Sequence, residues 1–258
     1  MSALLAAAAP HAAMIHHHRM VMHVAVRVAV VVHLHLALRA SSARMIRPAL
    51  RFLLGAVIPK RLVSVVTPTW NRVSLLTNRC IPSVRGQSYD GPVEHIIVSD
   101  GPDERVAHIP GVTFLPRHET TQNRGVRARR HGADLARGDL IAYLDDDNAW
   151  WFNHLEILAG ALEHSDADFA YSQALCTEPH GYRWTIGCEP PQYTQIDTSM
   201  IVHRRELLGV ANWEPATGPA DWDLVSRWLD AGAKWLHVPA VTVDYFARSM
   251  PVTAGRLT

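Results

Sequence analysis

The stretch "LIAYLDDDNAW", residues 140–150, decides how this chain is read. Leu140 to Leu144 suit a buried strand, and they run straight into three adjacent carboxylates, Asp145, Asp146 and Asp147. Like charges set side by side disfavour one another's ionisation, so something positive has to sit at the mouth of this strand. In an extended chain successive side chains alternate, which predicts that Asp145 and Asp147 face one way and Asp146 the other. Hard carboxylate oxygens at a strand end suit Mg²⁺ or Mn²⁺, which bind through one or two carboxylates and a substrate's phosphates. The competing structural role is capping of the following helix, but one cap accounts for one aspartate and not for three.

Outward from this stretch the chain alternates between strand and helix patterns. "LVSVV" (62–66) reads as a buried strand stopped by Pro68, followed by a helix through Leu75, Leu76 and Cys80. "VEHIIVS" (93–99) is a second strand and "VTFL" (112–115) a third, closed by Pro116. Residues 125–136 are helical, "DLIAYL" (139–144) is the fourth strand, and Leu155, Leu158, Ala159 and Leu162 mark an amphipathic helix. In the second half, "FAYSQALC" (169–176) and "YRWTIG" (182–187) suggest a hairpin, and "TSMIVHRREL" (198–207) a strand followed by a helix. "DWDLVSRWLDAG" (221–232) reads as a helix with Trp222, Val225 and Leu229 on one stripe and Gly232 as its stop, and "KWLHVP" (234–239) as a short strand. This order predicts an α/β fold: a single Rossmann-like, mostly parallel sheet with helices on both faces. Ligands bind outside the carboxyl ends of such strands. Three polar clusters fall there, "TPTWN" (67–71, with Pro68 and Trp70), "SDGPD" (99–103, with Asp100) and "DDDN" (145–148).

The net charge of +1 hides an asymmetry, because no Asp or Glu precedes Asp90. Residues 1–60 carry +7 and the remainder −6. A mildly acidic body excludes a broad nucleic-acid footprint, which needs clustered Lys and Arg. Residues 1–60, rich in Ala, Val, His and Arg, are expected to be a disordered extension or a mis-assigned start, with Met45 a candidate initiator and a basic, acid-free presequence or surface-binding arm as the alternative. Val21–Leu38 is apolar but interrupted by His23, Arg27, His33 and His35. A central Arg alone costs about 2.5–3.5 kcal/mol on insertion, so no integral membrane span is expected. Cys80, Cys176 and Cys188 lack metal-ligand spacing and read as reduced thiols of a cytoplasmic protein, one that could still be peripheral to a membrane.

"VSVVTPTWNR", "HIIVSDGPD" and "NRGVRARRHGADLARGDLIAYLDDDNAW", in this order and spacing, resemble the successive blocks of a family 2 glycosyltransferase with the GT-A fold, over roughly 61–250. Residues 251–258 would then be a tail. The resemblance implies a nucleotide-sugar donor, UDP-linked by preference, with Asp100 accepting from the uracil N3–H and Trp70 stacking on the base beside Pro68. It places Asp146 near the donor ribose, and Asp147, with Asp145, on a Mn²⁺ or Mg²⁺ ion at the diphosphate. Arg129 or Arg130 matches a donor-side arginine, in a block where the usual "ARN" is altered. Asp221, in "GPADWD", matches the catalytic base of inverting members, with Asp223 its rival two residues on. In a helix those two point about 200° apart, so only one can face the site. His237 is a weak match to a histidine that completes the metal shell in related enzymes.

Sugar transfer requires charge neutralisation at the leaving diphosphate and a base at the acceptor hydroxyl, and these residues can meet both needs. Asp221 has the alternative role of helix N-cap. Trp184, Trp213, Trp222, Trp228 and Trp235 are candidate platforms for sugar rings. A nucleotidyltransferase making nucleotide sugars is the competing enzyme class, although "TPTWNR" lacks its Gly-rich loop. A non-catalytic sugar-nucleotide binding protein is the third. The acceptor, whether glycan, lipid carrier, protein or small molecule, is left open.

Overall fold

A computed structural model of the chain describes residues 60–115 and 125–247. The extension expected over 1–60 (Lys60 apart), Pro116 as a strand stop and the tail over 251–258 lie outside the described residues. Strand β1 (Val63–Thr69) is buried along its whole length, as a strand covered on both faces must be. Helix α1 follows as Val73–Leu75, a π-helical turn Leu76–Cys80 and Ile81–Arg85. Then come β2 (Val93–Ser99), β3 (Val112–Phe114), α2 (Val126–Leu135), β4 (Leu140–Tyr143), β5 (Ala149–Trp150) and α3 (His154–Glu163). The second half holds β6 (Phe169–Thr177), β7 (Arg183–Ile186), β8 (Ile201–Arg204), α4 (Ala220–Asp230) and β9 (Trp235–Phe246).

One sheet orders the strands β3-β2-β1-β4-β8-β6-β9-β5, with β7 paired to β6. β3, β2, β1 and β4 are mutually parallel, while β8 runs antiparallel to both β4 and β6. β9 is parallel to β6, so its carboxyl end lies at the same edge as those of β1 and β4. Helices cover both faces, as the alternation along β1 shows. Val66 would meet a Cβ built on Gly132 of α2 at 2.4 Å, whereas its neighbour Thr67 lies 3.5 Å from Cys80 of α1.

The hairpin β6–β7 forms as the pattern predicts. Other expectations need correcting. β1 does not stop at Pro68, which pairs with Val98. Hydrogen bonding alternates along β1, and its even-numbered residues serve β4, as the acceptance of Leu144 N–H by Val66 shows. The N–H that Pro68 lacks would therefore point past the end of β4, where no ladder partner is needed. β9 runs far beyond 239, because register shifts between Tyr171 and Ala174 absorb the exposed Pro239 into a bulge. The segment after β8 is a short 3₁₀ turn, Arg205–Gly209, and not a full helix. In α4 the fully buried stripe is Leu224, Val225 and Trp228, with Trp222 and Leu229 half-buried beside it. Gly232 does end the helix region, at φ +83°. Among the described residues no helix is long and apolar enough to cross a membrane.

Candidate active site

β1 and β4 are neighbours from which the chain proceeds to opposite sides, β2 and β3 on one side and β8 on the other. At such a switch point the connections diverge and leave a crevice. A cleft of about 720 Å³ opens there, lined by residues that include Pro68, Trp70, Asp100, Arg129 and the three aspartates 145–147. Thr69, Arg72 and Gly125 complete its floor, and Tyr245 and Phe246 reach it from the end of β9. The last two were invisible as site residues in the sequence because β9 was read too short.

The positive partners demanded by the acidic triplet are arginines. Arg129 of α2, almost fully buried, is hydrogen-bonded to Asp145. Arg72 Nη1 donates to Asp146 Oδ1 at 2.7 Å and to Asp147 Oδ2 at 3.0 Å. Thr69 Oγ1 donates to the other Asp146 oxygen at 2.8 Å. Arg79 of α1 donates to the Asp147 carbonyl at 2.6 Å and lies 3.7 Å from the ring centroid of Phe246, fastening β9 to the acidic turn. The expected alternation, Asp145 with Asp147 against Asp146, does not hold. The strand ends at Tyr143 and the chain turns, with Asn148 N–H bonded to the Asp145 carbonyl at 3.1 Å, so strand periodicity no longer governs the triplet. Asp146 is buried, and desolvation pushes its carboxyl up to about 6 despite the opposing pull of Arg72 and Thr69.

On the β2 side, Asp100 is buried directly after the strand, with its N–H bonded to the Thr69 carbonyl at 2.9 Å. Trp70 is 40% exposed and forms a wall of the cleft. Asn71 turns the chain with φ +55°, its side chain accepting from Arg105, and so directs Arg72 back over the triplet. Gly125 opens α2 at φ +75°, where a Cβ would stand 2.9 Å from Pro68, so the helix start and the β1 end approach through the glycine.

Asp221 is not an N-cap, since Pro219 holds that position and Asp221 lies in the first turn of α4. Its Oδ1 accepts from Trp222 N–H at 2.8 Å. Burial raises its pKa, Asp145 adds to the rise, and Trp222 N–H and Arg129 oppose it. Asp197, which caps the turn before β8 by accepting from Ser199 N–H, is raised by burial and by Asp145 and Asp221. Asp145, Asp197 and Asp221 therefore influence one another and Arg129 electrostatically, although of the three only Asp145 lines the cleft. Asp223 is occupied elsewhere, accepting from Arg227 at 2.8 Å. Arg130 is also elsewhere: it donates to the Trp213 carbonyl at 3.3 Å and lies 3.7 Å from Glu214, on the far side of α2 from the cleft. His237 stacks on Tyr171 at 5.0 Å and does not line the cleft. Trp213 and Trp228 belong to the core, whereas Trp184, Trp222 and Trp235 are half-buried. Arg72 and Arg79 were missed in the sequence, although Arg72 directly follows the "TPTWN" cluster.

The donor set suits a hard divalent cation in one mode only. Among the described residues no three His, Cys, Asp or Glu side chains converge as a complete metal cage. Asp145 and Asp147 both line the cleft, so the protein can offer one or two carboxylates with the remainder supplied by water and phosphate oxygens, which is how Mg²⁺ is usually held.

The sequence model described as Glycosyl transferase family 2 matches residues 64–205. A glucosyl-dolichyl phosphate glucuronosyltransferase of Haloferax volcanii is 27% identical over 142 residues, 49% of this chain and 45% of that protein. An N-acetylglucosaminyltransferase of Neorhizobium galegae is 29% identical over 118 residues, 43% of this chain and 27% of that protein. The chain thus spans less than half the length of these relatives. The crystal structure of S. aureus TarS 1-349 in complex with UDP superposes with a TM-score of 0.57 at 16% identity, covering 72% of this chain and 60% of that one. A complex of the same TarS fragment with UDP-GlcNAc gives 0.55 at 17% identity, covering 73% and 59%. These likenesses establish the α/β, GT-A-type fold.

Proposed function

Because the chain belongs to glycosyl transferase family 2, matched over residues 64–205 of its 258, we propose that it transfers a sugar from a UDP-sugar to an acceptor hydroxyl with inversion. The observation that carries this reading is the convergence of Asp100, Trp70 and the arginine-held triplet in one cleft, with Asp221 near enough to feel the charges of Asp145 and Arg129. Asp100 accepts from the uracil edge and Trp70 covers the base against Pro68. Asp146, fixed by Thr69 and Arg72, faces the ribose. Asp147, with Asp145, would hold a Mg²⁺ or Mn²⁺ ion, which when bound neutralises charge on the leaving diphosphate. Arg129 adds fixed positive charge on the same side.

Asp221 takes the acceptor's proton while the acceptor oxygen bonds to the anomeric carbon and the bond to diphosphate breaks on the opposite face. Its raised pKa makes it a stronger base than an ordinary carboxylate. The pairing of Asp223 with Arg227 supports Asp221 over Asp223 for this role. Support for TarS-like donor use comes from the UDP and UDP-GlcNAc complexes of that protein. The unpaired thiols Cys80, Cys176 and Cys188 support a reducing, cytoplasmic setting.

The test is a donor screen with the full chain, Mn²⁺ and a pool of glycan, lipid-linked and small-molecule acceptors, reading nucleotide release and glycosylated product together. UDP release coupled to product is expected. Pyrophosphate formed from UTP and a sugar phosphate would instead identify a nucleotidyltransferase, and nucleotide binding without turnover a non-catalytic protein.

A further inference from the structure

Asp146 and Asp147 share a single donor atom, Nη1 of Arg72, at 2.7 and 3.0 Å. The two carboxylates are not equivalent partners. Asp146 is buried and receives a second hydrogen bond from Thr69, so its place is fixed. Asp147 receives the longer of the two Arg72 contacts, and it is the carboxylate assigned above to the divalent cation. Arg72 itself is one-third exposed in the cleft, at the N-cap of α1 and directly after Asn71, whose side chain accepts from Arg105. A guanidinium and a divalent ion on one carboxylate repel each other across a few ångströms.

From this we propose that Arg72 is a positioning residue that competes with the divalent cation for Asp147, and so ties cation loading to the arrival of the nucleotide's diphosphate. The inference rests on the metal-assisted reading given above. The diphosphate reverses the balance because its negative charge attracts both cations. Asp147 can then turn to the metal, while Arg72 keeps its shorter contact with Asp146 and faces the phosphate oxygens. Arg72 thereby suppresses binding of the cation alone while tolerating the cation–nucleotide pair.

The experiment is calorimetric titration of Mn²⁺ into the full chain, with and without UDP, for wild type, Arg72→Gln, Arg72→Lys and Asp147→Ala. Removing one positive charge from beside a divalent ion in a solvent-filled cleft is expected to tighten Mn²⁺ binding without UDP by about tenfold. The factor by which UDP improves Mn²⁺ affinity should shrink in Arg72→Gln and stay close to wild type in Arg72→Lys, which keeps the charge. A merely structural arginine would give weaker metal binding when lost, the opposite sign. Unchanged or weaker Mn²⁺ binding in Arg72→Gln overturns the proposal. Arg72→Met, which keeps the aliphatic stem, repeats the test if the Gln variant does not fold. Asp147→Ala separates the two levels of inference: Mn²⁺ affinity undiminished in that variant overturns the metal site itself, whereas its loss there, with no gain in Arg72→Gln, overturns only the competition.

Discussion

Asp221→Asn is the substitution that most sharply tests the assigned chemistry, because the structure separates its effect on turnover from its effect on folding. The helix cap is Pro219, so no capping bond is lost, and the remaining Asn carbonyl can still accept from Trp222 N–H. Removing the charge costs a favourable interaction with the helix N-terminus, about 0.3–1 kcal/mol. It also relieves repulsion with Asp145 and Asp197, where one unit of pKa rise corresponds to about 1.4 kcal/mol. These effects oppose each other, so the melting temperature should move by no more than a few degrees. UDP affinity, measured by calorimetry with Mn²⁺, should stay within a few-fold of wild type. Turnover, measured as UDP release at saturating donor and acceptor, should fall about 10²–10⁴-fold, the usual contribution of a general base. Asp223→Asn is the control: it breaks a partly exposed i,i+4 pair with Arg227, costs about 0.3–0.5 kcal/mol, and should leave turnover near wild type. If Asp223→Asn abolishes turnover and Asp221→Asn does not, the base is assigned two residues too early. If both variants remain active, the base is not on α4. A product that retains the donor's anomeric configuration refutes the opposed-base geometry altogether.

Arg129→Ala leaves Asp145 without its buried partner and should cost about 3–5 kcal/mol in urea unfolding, while Arg130→Ala, on the far side of α2, should cost under about 1 kcal/mol; equal effects would contradict their placement. Gly132→Ala should lower stability by about 1–2 kcal/mol, since a Cβ 2.4 Å from Val66 overpacks the α2–β1 contact by more than the gain in helix propensity; a more stable variant would show that this contact is looser than described. His154, buried against Trp150 and bonded to Thr242, is held neutral, its pKa lowered to about 3 by burial. Its contribution is complete above the unfolded value of 6.5 and is lost as pH falls towards 3, so wild type should lose about 1 kcal/mol more than His154→Gln between pH 7 and 5.5 in paired urea titrations. Identical pH dependence in the two proteins would contradict the neutral, buried assignment.

The parallel half of the sheet was legible because β1, β2 and β4 are short apolar runs that each end in a polar cluster, and the burial of β1 and β4 on both faces writes that signature directly into the sequence. β2 begins and ends where "VEHIIVS" does. The second half was less legible because its pairings are long-range. The two residues of β5 form a strand only because β9 passes beside them, and Pro239, a stop signal in isolation, is absorbed by a bulge that β6 imposes. The polar clusters located the cleft, since they fall at strand ends whatever the helices do. Which arginine serves the cleft was not legible. Arg129 and Arg130 are adjacent in sequence and differ only in helical phase, and Arg72 depends on a left-handed Asn71 that no local pattern announces.

The triplet that looks like a local concentration of charge is, in three dimensions, where separate parts of the fold are tied together. Asp145 is claimed by α2, Asp146 by the end of β1 and the turn after it, and the Asp147 backbone by α1 through an arginine that also stacks on the last residue of β9. α1 and α2 lie on opposite faces of β1, so the acidic turn joins both helical layers and fastens the end of β9 to the parallel half of the sheet. Repulsion among the carboxylates is thereby turned into selectivity for a single arrangement, because only the native packing brings three arginines from two separate helices and their caps to one strand end. The lining nonetheless stays acidic, with Asp100, Asp145, Asp146 and Asp147 set against Arg72 and Arg129, so the charge of the diphosphate is repelled unless a divalent cation accompanies it. Nucleotide and cation are therefore expected to bind as a pair, and the asymmetric hold of Arg72 on Asp146 and Asp147 is the local feature that enforces it.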